Sequence, residues 1–222
     1  MLPLKRLTIL CGHYGSGKTN VAVNIAAELV KSRDNVTVAD LDIVNPYFRT
    51  KDSAAYFEEQ GIRLICSAYA NSNVDIPALP QEMYALTDDR SMTAVLDIGG
   101  DDRGALVLGR LAPKILAEGD YEMLMVINRY RPLTRDAAST LEVMAEIELA
   151  GGIRFTGLVN NSNLGELTTA EDILASRAYA EEISRLSGLP LVMTSVRADL
   201  APAVEGKMPH VFPLGLQKNK FL

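Results

Sequence analysis

Residues Cys11 to Thr19 read CGHYGSGKT, and from Gly12 onward they fit the pattern G-x-x-x-x-G-K-[ST] of a phosphate-binding loop. The glycines at Gly12, Gly15 and Gly17 let the backbone curl round an anion and aim its N–H groups inward. Lys18 is then placed to reach the β- and γ-phosphates, and the Thr19 hydroxyl to bind Mg2+; Ser16 and Asn20 complete the nucleotide-binding set. The loop has the context it needs. RLTILC (Arg6–Cys11) before it reads as a strand, and Asn20–Ser32 after it carries Val21, Ile25, Leu29 and Val30 at helical spacing. A helix starting there turns the positive end of its dipole toward the phosphates.

Outward from the loop the chain alternates short β-rich runs with longer helical patterns. Further strands are expected at Asn35–Asp40, Ile62–Ser67, Thr93–Ile98, Tyr121–Ile127, Ile153–Asn160 and Leu189–Thr194. Most are continuously apolar, which suits strands covered on both faces. Helices are expected over Arg103–Glu118, Thr134–Ala150 and Ala170–Ser187. The alternation predicts right-handed βαβ units and an α/β fold with a mostly parallel sheet. Asn71–Gln81, with Pro77 and Pro80, reads as a surface loop. The segment from about 202, with Pro209 and Pro213, reads as an irregular tail packed across the surface.

The 222 residues fit one domain spanning 1–222. With 48% hydrophobic and 23% charged residues the composition is that of a soluble protein with a sizeable core. No apolar run approaches the roughly 18 residues of a membrane span, and MLPLKRLTILCGHYG lacks the cleavage site of a secretory signal. Two cysteines, Cys11 and Cys66, each end an apolar run and read as small core residues in a reduced cytosol. A net charge of −6 argues against a broad nucleic-acid-binding surface. These totals point to a cytoplasmic protein with no membrane or nucleic-acid partner.

A phosphate loop hydrolyses nothing alone, because Mg2+ needs hard oxygen ligands and the attacking water must be oriented. Two stretches offer carboxylates. In VADLDIVNPYFRTKD, Asp40 and Asp42 stand at the C-terminal end of a strand, with a solvated turn or helix cap as the competing reading. In VLDIGGDDRG, Asp97 follows an apolar run as a Walker B aspartate does, and Gly99 and Gly100 allow a backbone N–H to approach the γ-phosphate. Asp101 and Asp102 are candidates to couple that contact to movement. In open parallel sheets ligands bind outside the carboxyl ends of the strands, so both stretches can face the loop.

These three blocks, in this order, resemble the MinD/ParA-type P-loop ATPases, a group that also holds the nitrogenase iron protein and dethiobiotin synthetase. The D-L-D ending at Asp42 is similar to that group's first switch, with Asp42 matching the residue that positions the attacking water. Asp97-Ile98-Gly99-Gly100 is similar to its second switch. The resemblance implies a three-layer P-loop NTPase fold, a 7–8-stranded sheet with helices on both faces, and an ATP-dependent homodimer. It also implies a base-contacting asparagine in GLVNNSNLG: the family spacing places it at Asn161, with Asn160 the near alternative. The guanine-reading N-K-x-D and T-K-x-D patterns are absent, which favours ATP over GTP. Where the family has a lysine that reaches across the dimer, this chain has His13, followed by Tyr14 in place of glycine. Histidine is mostly neutral at pH 7 and replaces a fixed cation poorly. A dimer must draw its charge elsewhere, with Arg49, Arg103, Arg129 and Arg131 as candidates.

The leading functional expectation is a slow Mg2+-dependent ATPase switch, coupling hydrolysis to self-association or to a protein partner. Lys18 and Asp42 are its catalytic residues, and Thr19 and Asp97 its metal-holding ones. The alternatives are a small-molecule ATP-dependent ligase related to dethiobiotin synthetase and a binding module with negligible turnover. For the ligase, Arg129, Arg131 and Arg135 in INRYRPLTRDA would recognise an anion. The same loop also reads as a helix entry with Thr134 as N-cap.

Overall fold

The computed structural model describes residues 4–41, 54–66, 81–100 and 102–216, with backbone only at 81, 102 and 103. Eight strands among them form one sheet: β1 (Leu7–Cys11), β2 (Val36–Leu41), β3 (Arg63–Cys66), β4 (Thr93–Ile98), β5 (Tyr121–Ile127), β6 (Gly157–Asn160), β7 (Leu191–Arg197) and β8 (Val211–Leu214). Their spatial order is β3-β2-β4-β1-β5-β6-β7-β8. Every neighbouring pair is parallel. From β1 the chain moves to one side through β2 and β3, returns to β4, then moves to the other side through β5 to β8. The loop after β1 therefore sits where the direction reverses, the place where such sheets bind ligands.

The helices are α1 (Lys18–Leu29), α2 (Ala54–Glu59), α3 (Gln81–Asp88), α4 (Asp102–Glu118), α5 (Ala137–Gly151), α6 (Ala170–Ala175), α7 (Arg177–Ser187) and α8 (Ala201–Val204). Alternate strand residues feed opposite faces of the sheet, as the two-residue period of a strand requires. Leu10, Val36, Val38, Val95, Leu124 and Val126 pack with Val21, Ala22, Ile25 and Leu29 of α1 and Phe57 of α2. Ile9, Ala39, Leu96, Met123 and Met125 pack on the other face, with Met83 of α3, Leu108 and Ile115 of α4, Met144 and Ile147 of α5 and Ile183 of α7. Each fully buried Val, Leu or Ile stabilises by about 1.5–3 kcal/mol, so α1 is held chiefly by this face. The sheet is thus covered on both sides.

β4 and β5 coincide with the expected runs, and the other strands differ at their ends. The expected strand over Ile153–Asn160 narrows to Gly157–Asn160, because Gly152 caps α5 in a left-handed conformation and Ile153 and Phe155 pack as core residues outside the ladder. The expectation of an irregular tail is corrected: α8 and β8 are regular. β8 tolerates Pro213 because it is the sheet's edge, with Phe212 and Leu214 turned inward and Pro213 outward. The single helix expected over Ala170–Ser187 is two, meeting at Ser176. Asp136, not Thr134, caps α5, through its carboxylate and the Ser139 N–H at 2.9 Å. Thr134 is buried and its hydroxyl donates to the Asn128 carbonyl at 2.8 Å. Cys66 is exposed rather than a core residue, since β3 is the other edge of the sheet; Cys11 is buried. Most of Asn71–Gln81 lies outside the described residues.

Candidate nucleotide-binding site

The loop leaves the buried end of β1 and enters α1 through Gly17, whose positive φ of 88° places it in the region glycine favours. A β-carbon there would also run into the Asn161 side-chain nitrogen. The loop is closed by a turn from the Ser16 N–H to the His13 carbonyl, 3.1 Å, and the Lys18 ammonium donates to the same carbonyl at 3.4 Å. Lys18 and Thr19 are buried in the first turn of α1, and Asn20 beside them is half-buried. The Ser16 hydroxyl is buried with no hydrogen-bond partner among the described residues.

Asp40 and Asp97 come together. They are partners in the β2–β4 register, and Leu10, the residue before Cys11, is Asp97's partner in β1. Each aspartate lies two residues beyond a valine that packs against α1, so both carboxylates face the α1 side, at the strand ends beside the phosphate loop. Both are buried. The strand register, not the sequence, makes Asp40 the neighbour of Asp97. Asp42, Arg49 and Asp101 lie outside the described residues, as do the side chains of Asp102 and Arg103.

Gly100 packs directly on the loop: a β-carbon there would stand 2.6 Å from the Tyr14 nitrogen and 2.7 Å from the Gly12 carbonyl oxygen. The Asp97–Gly100 stretch and the phosphate loop are therefore in backbone contact. Cys11, at the base of the loop, has its thiol pushed well above the ordinary range by burial; the Lys18 charge opposes this and that of Asp97 adds to it. It is a neutral packing residue rather than a nucleophile.

The two asparagines diverge, as adjacent residues at a strand end do. Asn161 turns to the loop, its amide donating to the Ser16 carbonyl at 2.7 Å and its oxygen accepting from the Ser195 hydroxyl of β7 at 2.6 Å. Asn160 donates to the Ser176 hydroxyl at 2.8 Å, away from the loop. Sequence reasoning missed Ser195, and it also missed Asn128, buried at the end of β5. The Asn128 oxygen accepts from the N–H groups of Tyr130 (3.0 Å) and Asn163 (3.3 Å), binding the loop after β5 to the loop after β6. A polar residue directly after an apolar strand was the available signal. The arginines of the β5 loop separate. Arg129 donates to the Ala175 carbonyl and lies 5.6 Å from the Tyr130 ring centre, while Arg135 is exposed and pairs with Asp136 at 3.5 Å. Arg131 lies on the phosphate loop beside Gly15.

Among the described residues no group of three or more His, Cys, Asp or Glu could hold a metal by itself. Mg2+ in phosphate sites takes one or two protein oxygens together with phosphate and water. The Thr19 hydroxyl and the Asp97 and Asp40 carboxylates are hard oxygens of the kind Mg2+ takes.

No family model and no curated protein sequence matches the chain. Solved structures do. The cell division protein FtsY of Thermotoga maritima superposes with a TM-score of 0.58 at 19% identity, over 87% of this chain and 63% of that one. Chloroplast FtsY of Physcomitrella patens gives 0.60 at 16% identity, over 87% and 60%. The signal recognition particle 54 kDa protein of Aeropyrum pernix, solved in complex with GDP, gives 0.51 at 14%, over 87% and 41%. The chain spans less than two thirds of the length of these structures. At such identities the likeness establishes the fold, a P-loop NTPase fold with a parallel eight-stranded sheet. No helix among the described residues is long and apolar enough to cross a membrane.

Proposed function

We propose that the chain is a P-loop nucleoside triphosphatase that binds ATP with Mg2+ and works as a nucleotide-dependent switch of the MinD/ParA type. One observation carries the reading: Asp40 and Asp97 stand side by side at the strand ends, next to a loop that buries Lys18 and Thr19. In this reading Lys18 stabilises the charge of the phosphate being transferred, Thr19 and Asp97 hold Mg2+, and Asp42 orients the water. Gly12, Gly15, Ser16, Gly17 and Asn20 form the cradle. Asn161 props the cradle and has one amide hydrogen left for a base. Bound Mg2+ supplies charge neutralisation at the phosphates. The contact of Gly100 with the loop is the route by which nucleotide state reaches the segment beyond Asp97.

ATP is favoured over GTP because Leu164 stands three residues after Asn161, where the guanine-reading pattern has an aspartate. GDP is the ligand named for the Aeropyrum pernix structure and not for this chain. The ligase reading needs the β5-loop arginines to converge on one anion, and they diverge. The switch is read as one cytoplasmic domain whose partner is a second copy or another protein.

The test is sizing and nucleotide binding with ADP, ATP and GTP, in wild type, Lys18→Ala and Asp42→Ala. The expected result is Mg2+-dependent ATP binding lost in Lys18→Ala, and an ATP-dependent dimer that accumulates in Asp42→Ala. Binding of GTP but not ATP overturns the base assignment. A monomer under every condition overturns self-association, and a wild type that binds no nucleotide overturns the whole reading.

A further inference from the structure

In the loop itself His13 is half-buried, with its Nδ1 3.0 Å from the Tyr14 carbonyl oxygen. Besides Lys18, a second positive charge beside the loop comes from another part of the fold. Arg131 lies across Gly15, its Nε, Cζ and Cδ at 3.4, 3.5 and 3.6 Å from where a β-carbon on that glycine would stand. The backbone that delivers it is fixed: its N–H donates to the Asn128 carbonyl at 3.1 Å, and its own carbonyl accepts from Thr134 at 3.1 Å. Asn128 and Thr134 are themselves buried and hydrogen-bonded to each other. The guanidinium makes no hydrogen bond or ion pair among the described residues, and it is exposed. Its neighbours Arg129 and Arg135 are engaged elsewhere. A planar fork of five donors, laid on the rim of an anion cradle and spent on nothing else, is arranged for a phosphate oxygen.

We propose that Arg131 is a phosphate-contacting arginine supplied in cis, binding the terminal phosphates of a nucleoside triphosphate beside Gly15. The inference rests on the reading of the loop as a nucleotide site. In hydrolysis the water oxygen bonds to the γ-phosphorus and the bond from that phosphorus to the bridging oxygen breaks. The bond's electron pair stays on that oxygen, and the proton of the water leaves with the products, a nucleoside diphosphate and inorganic phosphate. Charge gathers on the bridging and γ-oxygens in this step, where a nearby guanidinium is most effective. Self-association is then not needed to complete the cation set, so this chain can turn over as a monomer.

The experiment measures the dissociation constants of ADP and of a slowly hydrolysed ATP analogue, with steady-state phosphate release, for wild type, Arg131→Ala, Arg135→Ala and Lys18→Ala. Thermal melting confirms that each is folded. Arg131→Ala is expected to hold ADP within about threefold of wild type, to lose about tenfold of its preference for the triphosphate, and to slow turnover by at least about tenfold. Arg135→Ala is expected to match wild type. An unchanged triphosphate-to-diphosphate ratio in Arg131→Ala overturns the assignment while leaving the loop reading intact. An equal loss in Arg135→Ala also overturns it, because the effect would then be one of general charge. A wild type that binds neither nucleotide, like Lys18→Ala, overturns the loop reading itself.

Discussion

The side-chain amide of Asn161 donates to the Ser16 carbonyl at 2.7 Å, and its oxygen accepts from Ser195 at 2.6 Å. One buried side chain thereby ties the phosphate loop to the ends of β6 and β7. Asn161→Ala would leave the Ser16 carbonyl and the Ser195 hydroxyl without these partners, at a cost of about 1–3 kcal/mol for each buried group. We expect a loss of that order by chemical denaturation, with nucleotide affinity down about tenfold as the cradle loosens. Asn160→Ala, which touches Ser176 instead, should destabilise the fold yet leave nucleotide affinity within about threefold by calorimetry.

Gly100→Ala tests the contact between the Asp97 strand end and the loop. The added carbon would meet three backbone atoms, the Tyr14 nitrogen, the Gly12 oxygen and the His13 carbonyl carbon, none of which can rotate away. Overpacking of this kind costs about 1–3 kcal/mol. Nucleoside triphosphate hydrolysis should fall by more than ADP affinity does, and equal falls in the two would count against a coupling role for this contact.

Stability and site are separable at the far end of the sheet. Arg6, just before β1, forms a partly buried ion pair with Glu118 at the end of α4. It also donates to the carbonyls of Leu86 at 3.0 Å and Met92 at 2.9 Å. Removing one partner leaves the other charge partly desolvated, so Glu118→Gln should cost about 1–3 kcal/mol. Urea denaturation should register the loss, while nucleotide affinity per folded molecule stays unchanged.

The two thiols should behave oppositely. Cys66 is exposed and should react with a thiol reagent at pH 8 without unfolding; buried Cys11 should react only once the protein is denatured. Burial holds the Cys11 thiol protonated above a thiol's ordinary 9.0, and the Tyr179 phenol is pushed up to about 12 by burial. In both cases the folded form keeps a proton that the unfolded chain releases. The associated stability is therefore complete below the unfolded pKa and is lost as pH rises past it, by about 1.4 kcal/mol per pH unit for one group. Denaturation midpoints should fall from about pH 9 upward. Cys11→Ala should flatten the first part of that fall; an unchanged profile would remove Cys11 as its source.

The fold class was legible in the chain because local rules set it. Apolar runs of strand length and helices of 3.6-residue period leave few arrangements other than a covered parallel sheet, and β4 and β5 fall where those runs predict. Elements set by position in the sheet were not legible. β8 carries Pro213, which reads as irregular until the strand is known to be the edge; Cys66 reads as core until β3 is known to be the other edge. The break between α6 and α7 has no glycine or proline. It falls at Ser176, whose hydroxyl bonds to Ile173 and Asn160.

By itself the sequence carried the phosphate-loop pattern, since Gly12 to Thr19 are contiguous and the pattern depends only on local spacing. It also placed Asp97 next to last in the strand Thr93–Ile98. Only the tertiary structure decided that Asp40 is Asp97's neighbour, that Asn161 rather than Asn160 turns to the loop, and that Arg131 alone of the three β5-loop arginines lies on Gly15. These depend on strand register, on which side an adjacent residue faces, and on hydrogen bonds between segments distant in the chain. Such facts exist only once the sheet has brought those segments together.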